Sequence, residues 1–305
     1  MKVALIVPTW NAGPHLDRFI PAVQSLDPAP DEVLVVDSGS RDDTVPRCRA
    51  AGFDVHVIEP GTFGHGRTRN LAARRTGADI LLFMTQDAVP LDRDLVGRLA
   101  GAFEDPRVGH AYARQVPHPD ATPAAAFARR FNYPPESFTR TWADVAEMGV
   151  AACFTSNSCA AYRRSVFFAL GGFDEDVPVS EDTLFAARML RAGHHLRYVA
   201  EARVAHSHNY TWRQEFRRYF DIGVAHGLAP WYLELAHGVG GRGRDFVRAE
   251  LAELLRTRPH AIPAALGRNA VRWLGYQAGR RHRRLPAPWR ERLSGQPHFW
   301  RTSTA

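Results

Sequence analysis

Four carboxylates and two histidines stand where a folded chain could use them for chemistry. Asp87 is a lone carboxylate beside Gln86 in the stretch Thr85-Gln86-Asp87-Ala88. A hard divalent cation bridging two phosphates needs only one or two protein carboxylates, because phosphate oxygens and water complete its shell. His206-Ser207-His208 ends a strand-like stretch, and alternation places both imidazoles on one face, a hint of metal ligation. Glu181 and Asp182 follow Ser180 at a helix start, where acidic residues also serve merely to complement the helix dipole. Asp37 opens Asp37-Ser38-Gly39-Ser40, and its carboxylate can accept a hydrogen bond from the imide N–H of a uracil or thymine. The Thr9–Asn11 backbone can frame that base. Gly61 to Asn70 is rich in glycine and basic groups and lies at a helix N-terminus. Exposed N–H groups there favour phosphate, and Arg69 adds a charged contact. A plain glycine turn before a solvated helix reads the same way.

The elements that must position these residues alternate. Val3 to Val7 is a continuous apolar run that stops at Pro8, as a buried parallel strand does. Pro14 opens a helical pattern through Leu16, Phe19, Ile20, Val23 and Leu26. Val33–Val36, Val55–Ile58 and Ile80–Met84 read as further strands. Between them lie a helix with Asp42 as its cap and Gly52 as its end, and a helix from His65 to Thr76. The rhythm predicts an α/β fold with a doubly wound, mostly parallel sheet flanked by helices. Ligands of such sheets bind outside the carboxyl ends of the strands. Here those ends are Pro8-Thr9-Trp10-Asn11, Asp37-Ser38-Gly39-Ser40 and Thr85-Gln86-Asp87-Ala88. Strand ends carry turn residues anyway, but three polar ends on one edge point to a nucleotide site. No GxGxxG follows the first strand, and no P-loop is present, which argues against dinucleotide binding. Residues 107–160, broken by five prolines, read as a functional loop region or a small insertion. A helix capped by Ser180 runs to Gly193, a strand covers Leu196–Ala205, and helices are expected near 211–228, 243–257 and 260–279.

Composition narrows the class. The 305 residues are 45% hydrophobic and 23% charged, so the chain is neither disordered nor fibrous. No apolar run approaches the roughly 18 residues of a membrane span, and the start is too short for a signal peptide. Cys48, Cys153 and Cys159 form no tight pair and are expected as buried, reduced thiols of a cytoplasmic protein. The net charge of +7 is uneven: residues 206–305 hold 17 arginines against seven carboxylates, leaving a net −3 for the rest.

Together these pieces resemble a family-2 inverting glycosyltransferase with the GT-A fold. The matching stretches are the VPTWN start, VLVVDSGSRDDT, FGHGRTRN, TQDA, LGGFDEDVPVSEDTLFAARMLRAG and VAHSH, in order over about residues 1–210. GHGRTRN with TQDA and HSHNYT is most similar to the bacterial rhamnosyltransferase branch. That branch moves L-rhamnose from dTDP-L-rhamnose to a saccharide or lipid-linked saccharide in surface polysaccharide synthesis. The resemblance implies a nucleotide-sugar site built from Pro8, Thr9, Asn11, Asp37, Ser38, Gly39, Ser40, His65, Gly66, Arg69, Asn70, Gln86 and Asp87. Thr9, Asn11 and Asp37 would hold base and ribose, with Arg69 near the diphosphate. Asp87 stands at the family's metal-binding aspartate, with neither flanking carboxylate kept, so Mg2+ or Mn2+ would lean on Asp87 with His206 or His208. Asp182 matches the catalytic base, with Glu181 beside it. Acceptor contacts are expected from residues 112–160, the 181–191 helix and the start of the C-terminal helices, with Trp142, Asn157, Trp212, Trp231 and Tyr210 as candidates.

The resemblance divides the chain into a catalytic unit, 1–210, and a basic, aromatic-rich helical extension, 211–305. Arg280, Arg281, Arg283, Arg284, Arg290 and Arg292, interleaved with Trp273, Tyr276, Trp289, Phe299 and Trp300, fit an anionic membrane surface at the inner face of the plasma membrane. A solvated basic bundle fits equally. No nucleic-acid motif is present. Two other readings of the fold are a transferase taking a UDP- or GDP-sugar and a non-catalytic sugar-binding protein. A sugar-1-phosphate nucleotidyltransferase would need a basic, glycine-rich loop directly after the first strand, which is missing.

Overall fold

A computed structural model describes residues 1–235 and 240–302. Val3–Thr9 (β1), Gly13–Gln24 (α1), Glu32–Asp37 (β2), Thr44–Ala50 (α2), Asp54–Val57 (β3), His65–Arg74 (α3) and Ile80–Met84 (β4) alternate as the pattern requires. β1 and β4 are apolar on successive residues because helices cover both faces of the sheet. Asp42 does not cap α2. It accepts bonds from the Gly13 N–H (3.0 Å) and the Thr44 hydroxyl (2.5 Å), tying α1 to α2.

Residues 107–160 are more regular than their prolines suggest. After Val89–Pro90 (β5) and Leu95–Gly101 (α4), this stretch forms Val108–Val116 (β6), Pro123–Asn132 (α5), Phe138–Arg140 (β7) and Trp142–Met148 (α6), and reaches Cys159–Arg163 (β8). Buried His110 and Gln115 break the apolar signature of β6, so a central strand hides in a polar-looking sequence. Arg164–Ala169 (α7), Glu181–Arg191 (α8) and His195–Ala205 (β9) complete the sheet, in the order β3-β2-β1-β4-β8-β6-β9-β5 with β7 on β9. β1, β2, β3, β4, β6 and β9 share one direction; β5, β7 and β8 oppose it. One apolar layer packs Leu5, Leu16, Phe19 and Leu99 on one face, and another packs Phe83, Tyr162, Phe167 and Phe185 on the other. All three cysteines are buried and free of disulfides.

Trp212–Leu228 (α9), Pro230–Glu234 (α10), Gly240–Thr257 (α11), Ile262–Arg280 (α12), Ala287–Leu293 (α13) and Pro297–Thr302 (α14) follow. Ala225, Ala229 and Tyr232 join the same apolar cluster as Leu184 and Phe185, so this region shares core with the sheet. α12 lies tightly on α9: a Cβ on Gly279 would collide with the Phe220 carbonyl. Arg272 grips the buried Glu215 through two bonds, 2.7 and 2.9 Å. Asp221 accepts from the Ser294 hydroxyl (2.5 Å) and the Gly295 N–H (2.8 Å), anchoring the last helices. The His298 ring then meets Phe63, 5.5 Å between centroids.

Candidate active site

The carboxyl ends of β1 and β2 are fastened together. Thr9 lies opposite Asp37 in the parallel register, and its hydroxyl donates to Asp37 Oδ2 at 2.8 Å. Ser40 adds its hydroxyl to the same oxygen (2.6 Å), while the Gly39 and Ser40 N–H groups bond Oδ1 at 3.0 and 2.7 Å. Asp37 is fully buried with about four acceptor positions engaged, so it organises the turn rather than reading a base imide. The neighbouring Ser38 hydroxyl is buried and unpartnered, a free polar group at the expected base position. Asn11 sits in the left-handed region (φ +46) and links to Ser40 and Arg41, and Gln86 bonds both backbone groups of Trp10. Pro8, in β1 beside Val36, completes this edge.

The glycine-rich stretch faces inward. Arg69 is only 3% exposed, and its Nη1 contacts Glu181 Oε1 at 3.2 Å and the His65 carbonyl at 3.0 Å. It therefore braces Glu181 instead of offering itself to a diphosphate. Gly66 is needed for contact with the chain, since a Cβ there would strike the Asp174 carbonyl. Asn70 clasps Phe173 at both backbone groups and also bonds Glu175. Burial lowers the His65 imidazole to about 4, so it is neutral near pH 7. This segment is a brace for residues 171–181.

The acid pair differs internally. Glu181 is buried, and Arg69 and the Asn157 amide (3.0 Å) hold it ionised, below its ordinary value despite the burial. Asp182 accepts the Asn157 N–H (3.0 Å) and the Thr183 N–H (2.8 Å), yet burial and the Glu181 charge push it up to about 7. Ser180 does not cap α8 with its side chain; it holds a left-handed conformation (φ +71), a strained entry to the pair.

At the ends of β4 and β9, one oxygen or nitrogen from each of Asp87, His206 and His208 lies within 4.8 Å of the others. Both Nε2 atoms face Asp87 Oδ2, at 3.5 and 3.7 Å. Gln115 Oε1, already bonded by Arg129, accepts from His206 Nδ1 at 2.8 Å. That contact places the proton on Nδ1 and leaves the Nε2 lone pair for a cation. Burial lowers His208 to about 3, which keeps it a neutral ligand. Burial opposes ionisation of Asp87, but its interactions with His206 first and His208 second hold it well below the usual carboxylate range. Gln115 carried no signal in the sequence, because its partner is 91 residues away.

Of the acceptor candidates, Asn157 is internal, its amide joining Glu181 to the Tyr162 hydroxyl (2.7 Å). Trp142 and Trp212 are exposed at the starts of α6 and α9, and Trp231 packs partly buried against the core. Tyr210 stacks on His208 at 4.8 Å. No ring contact joins the three tryptophans among the described residues.

A paired acid helix and an Asp-His-His cluster at the carboxyl edge of one nucleotide-type sheet make a group-transfer site in outline. The sequence profile of glycosyl transferase family 2 matches residues 4–171. The chain belongs to glycosyl transferase family 2. It is 43% identical over 302 residues to the O-antigen chain rhamnosyltransferase RfbN of Salmonella typhimurium, covering 98% of this chain and 96% of that one. It is 42% identical to the O-antigen chain rhamnosyltransferase WbaN of Salmonella anatum, covering 97% and 95%. Among solved structures, the mannosyltransferase PcManGT from Pyrobaculum calidifontis, in complex with GDP-Man and Mn2+, superposes with a TM-score of 0.59 at 20% identity, covering 99% and 86%. That likeness shows the GT-A fold in this family-2 transferase.

Proposed function

We propose that the protein is an inverting rhamnosyltransferase that moves L-rhamnose from dTDP-L-rhamnose to a hydroxyl of a saccharide or lipid-linked saccharide in surface polysaccharide synthesis. The observation that carries this reading is the 43% identity to an O-antigen chain rhamnosyltransferase, which runs through the C-terminal helices as well as the sheet. The site supports it chemically. Asp182 is the general base: raised to about 7 yet held by two backbone N–H groups, it takes the acceptor hydroxyl's proton as that oxygen attacks the anomeric carbon. The bond from that carbon to the diphosphate breaks on the opposite face, inverting the centre. Glu181, Arg69 and Asn157 position Asp182 without touching substrate. Thr9, Asn11 and Ser38 hold the nucleoside end, with Asp37 shaping their turn.

Asp87, His206 and His208 fit a divalent cation: one carboxylate, one imidazole with its tautomer set by Gln115, and one neutral imidazole. Two nitrogen donors with one oxygen suit Mn2+ better than Mg2+. When bound, the ion would offset charge on the donor's diphosphate.

No helix among the described residues is long and apolar enough to cross a membrane. Peripheral contact is supported by α12, where Leu266 and Trp273 share an exposed face, and by exposed Trp289 beside Arg280, Arg281, Arg283, Arg284 and Arg292. Lipid-linked acceptors would meet the enzyme there.

Calorimetry with dTDP-rhamnose, UDP-glucose, UDP-galactose and GDP-mannose, with and without Mn2+, tests the donor. Binding of dTDP-rhamnose alone, strengthened by Mn2+, is expected. Preference for another sugar nucleotide would overturn the rhamnosyl reading, and no binding at all would favour a non-catalytic protein.

A further inference from the structure

The site side chains named so far offer the donor's diphosphate no free guanidinium. Asp87, Glu181 and Asp182 are all acidic, and Arg69 is engaged with Glu181. The family profile ends at residue 171, so it assigns nothing in the C-terminal helices. From those helices one guanidinium reaches the site. Arg218, on α9, is exposed to solvent and forms no ion pair among the described residues, in a chain where Arg272, Arg268 and Arg69 all do. Its Cζ lies 5.8 Å from the Tyr210 ring centroid; Tyr210 stacks on His208, and His208 faces Asp87 at 3.7 Å. The same charge acts on His65 at the start of α3 and is itself influenced by Asp182 at the start of α8. Arg218 thus lies against Tyr210 next to the His208 ligand position, within electrostatic reach of α3 and α8, while bonding none of them.

Position along the sheet says which anion it meets. The nucleoside end lies at the β1–β2 edge. Passing across β4 brings Asp87, the start of β8 brings Asn157 with Asp182 bonded to it, and β9 brings His206 and His208, with Arg218 against Tyr210 just after them. The phosphate nearest the reacting carbon is therefore the one that reaches this end. We infer that Arg218 is a leaving-group contact, its planar fork donating N–H bonds to the outer phosphate of the nucleotide sugar. As the bond between anomeric carbon and phosphate oxygen breaks, the electron pair stays on that oxygen, and the guanidinium meets the charge that develops there. The inference rests on the nucleotide-sugar reading above. A solvated arginine lying on Tyr210 is the competing account.

The test compares nucleoside diphosphate with monophosphate. Wild type, Arg218→Ala, Arg218→Lys and Arg217→Ala are titrated with dTDP and dTMP by calorimetry, with and without Mn2+, with UDP/UMP and GDP/GMP as parallel pairs. Arg217 turns to the Arg292 carbonyl and serves as the neighbouring control. The expected result is a loss of about 10–100-fold in diphosphate affinity for Arg218→Ala, near-unchanged monophosphate affinity, and partial recovery with Arg218→Lys. Arg217→Ala should stay near wild type. Equal losses for diphosphate and monophosphate would mark a merely structural role and overturn the inference, as would unchanged diphosphate binding. If wild type bound none of the three diphosphates, the donor reading itself would fall and take the inference with it.

Discussion

Two acidic centres stand at the carboxyl edge of the sheet, and they carry the same side-chain chemistry to opposite ends. Asp87 faces two imidazoles supplied from the end of β9 and stays well below the usual carboxylate range. Asp182 is half-buried beside a second carboxylate that Arg69 keeps charged, and its proton affinity rises. Neighbours set the difference. A carboxylate kept negative suits a cation, and one that titrates near neutrality suits proton transfer. The residues around each centre matter as much as the two aspartates: Gln115 orients one side and the Arg69–Glu181 pair the other.

The largest effect should come from removing the titrating member. Asp182→Asn is expected to cut turnover by about 10²–10⁴-fold while nucleotide binding changes little, read by steady-state kinetics beside calorimetry. Near-wild-type turnover would erase the distinction between the centres. On the other side, Asp87→Ala should lower Mn2+ affinity by at least about 100-fold, and Gln115→Leu, which frees the His206 ring and also releases Arg129, by about 10–100-fold. A Gln115→Leu variant with full Mn2+ affinity would show that the tautomer is set some other way.

The pH profile sharpens the contrast with smaller changes. Turnover should rise with pH through about 7 as Asp182 loses its proton, and Glu181→Gln should move that limb to lower pH because one nearby negative charge is gone. The same variant leaves Arg69 buried without its counter-charge, which costs about 3–5 kcal/mol and should lower Tm. Smallest is a stability effect. Asp182 binds its proton more tightly folded than unfolded, so between its ordinary pKa and about 7 the native state loses stability as pH rises. Asp182→Asn should therefore raise Tm at pH 8 and give no gain at pH 4. A Tm difference independent of pH would count against the raised pKa.

Legibility followed locality. Apolar runs such as Val3–Val7 and Ile80–Met84 announce strands because both their faces are covered. β6 escaped because His110 and Gln115 are buried polar residues with remote partners. The glycine-rich setting of Arg69 points to a diphosphate, yet its carboxylate partner lies 112 residues away. Asp37 was read as facing a base, when its bonds to Thr9 and Ser40 depend on two strands lying in register.

By itself the sequence determined the alternation of strands and helices, the polar carboxyl edge of the sheet, and the identities of the aspartates and histidines at its chemistry. Periodicity and residue type are local properties and survive without the fold. Tertiary structure alone decided which carboxylate faces two imidazoles and which is raised to about 7, and that one arginine is buried against Glu181 while another is exposed beside Tyr210. Burial and charge at each group come from side chains a hundred residues distant, brought within a few ångströms only by packing.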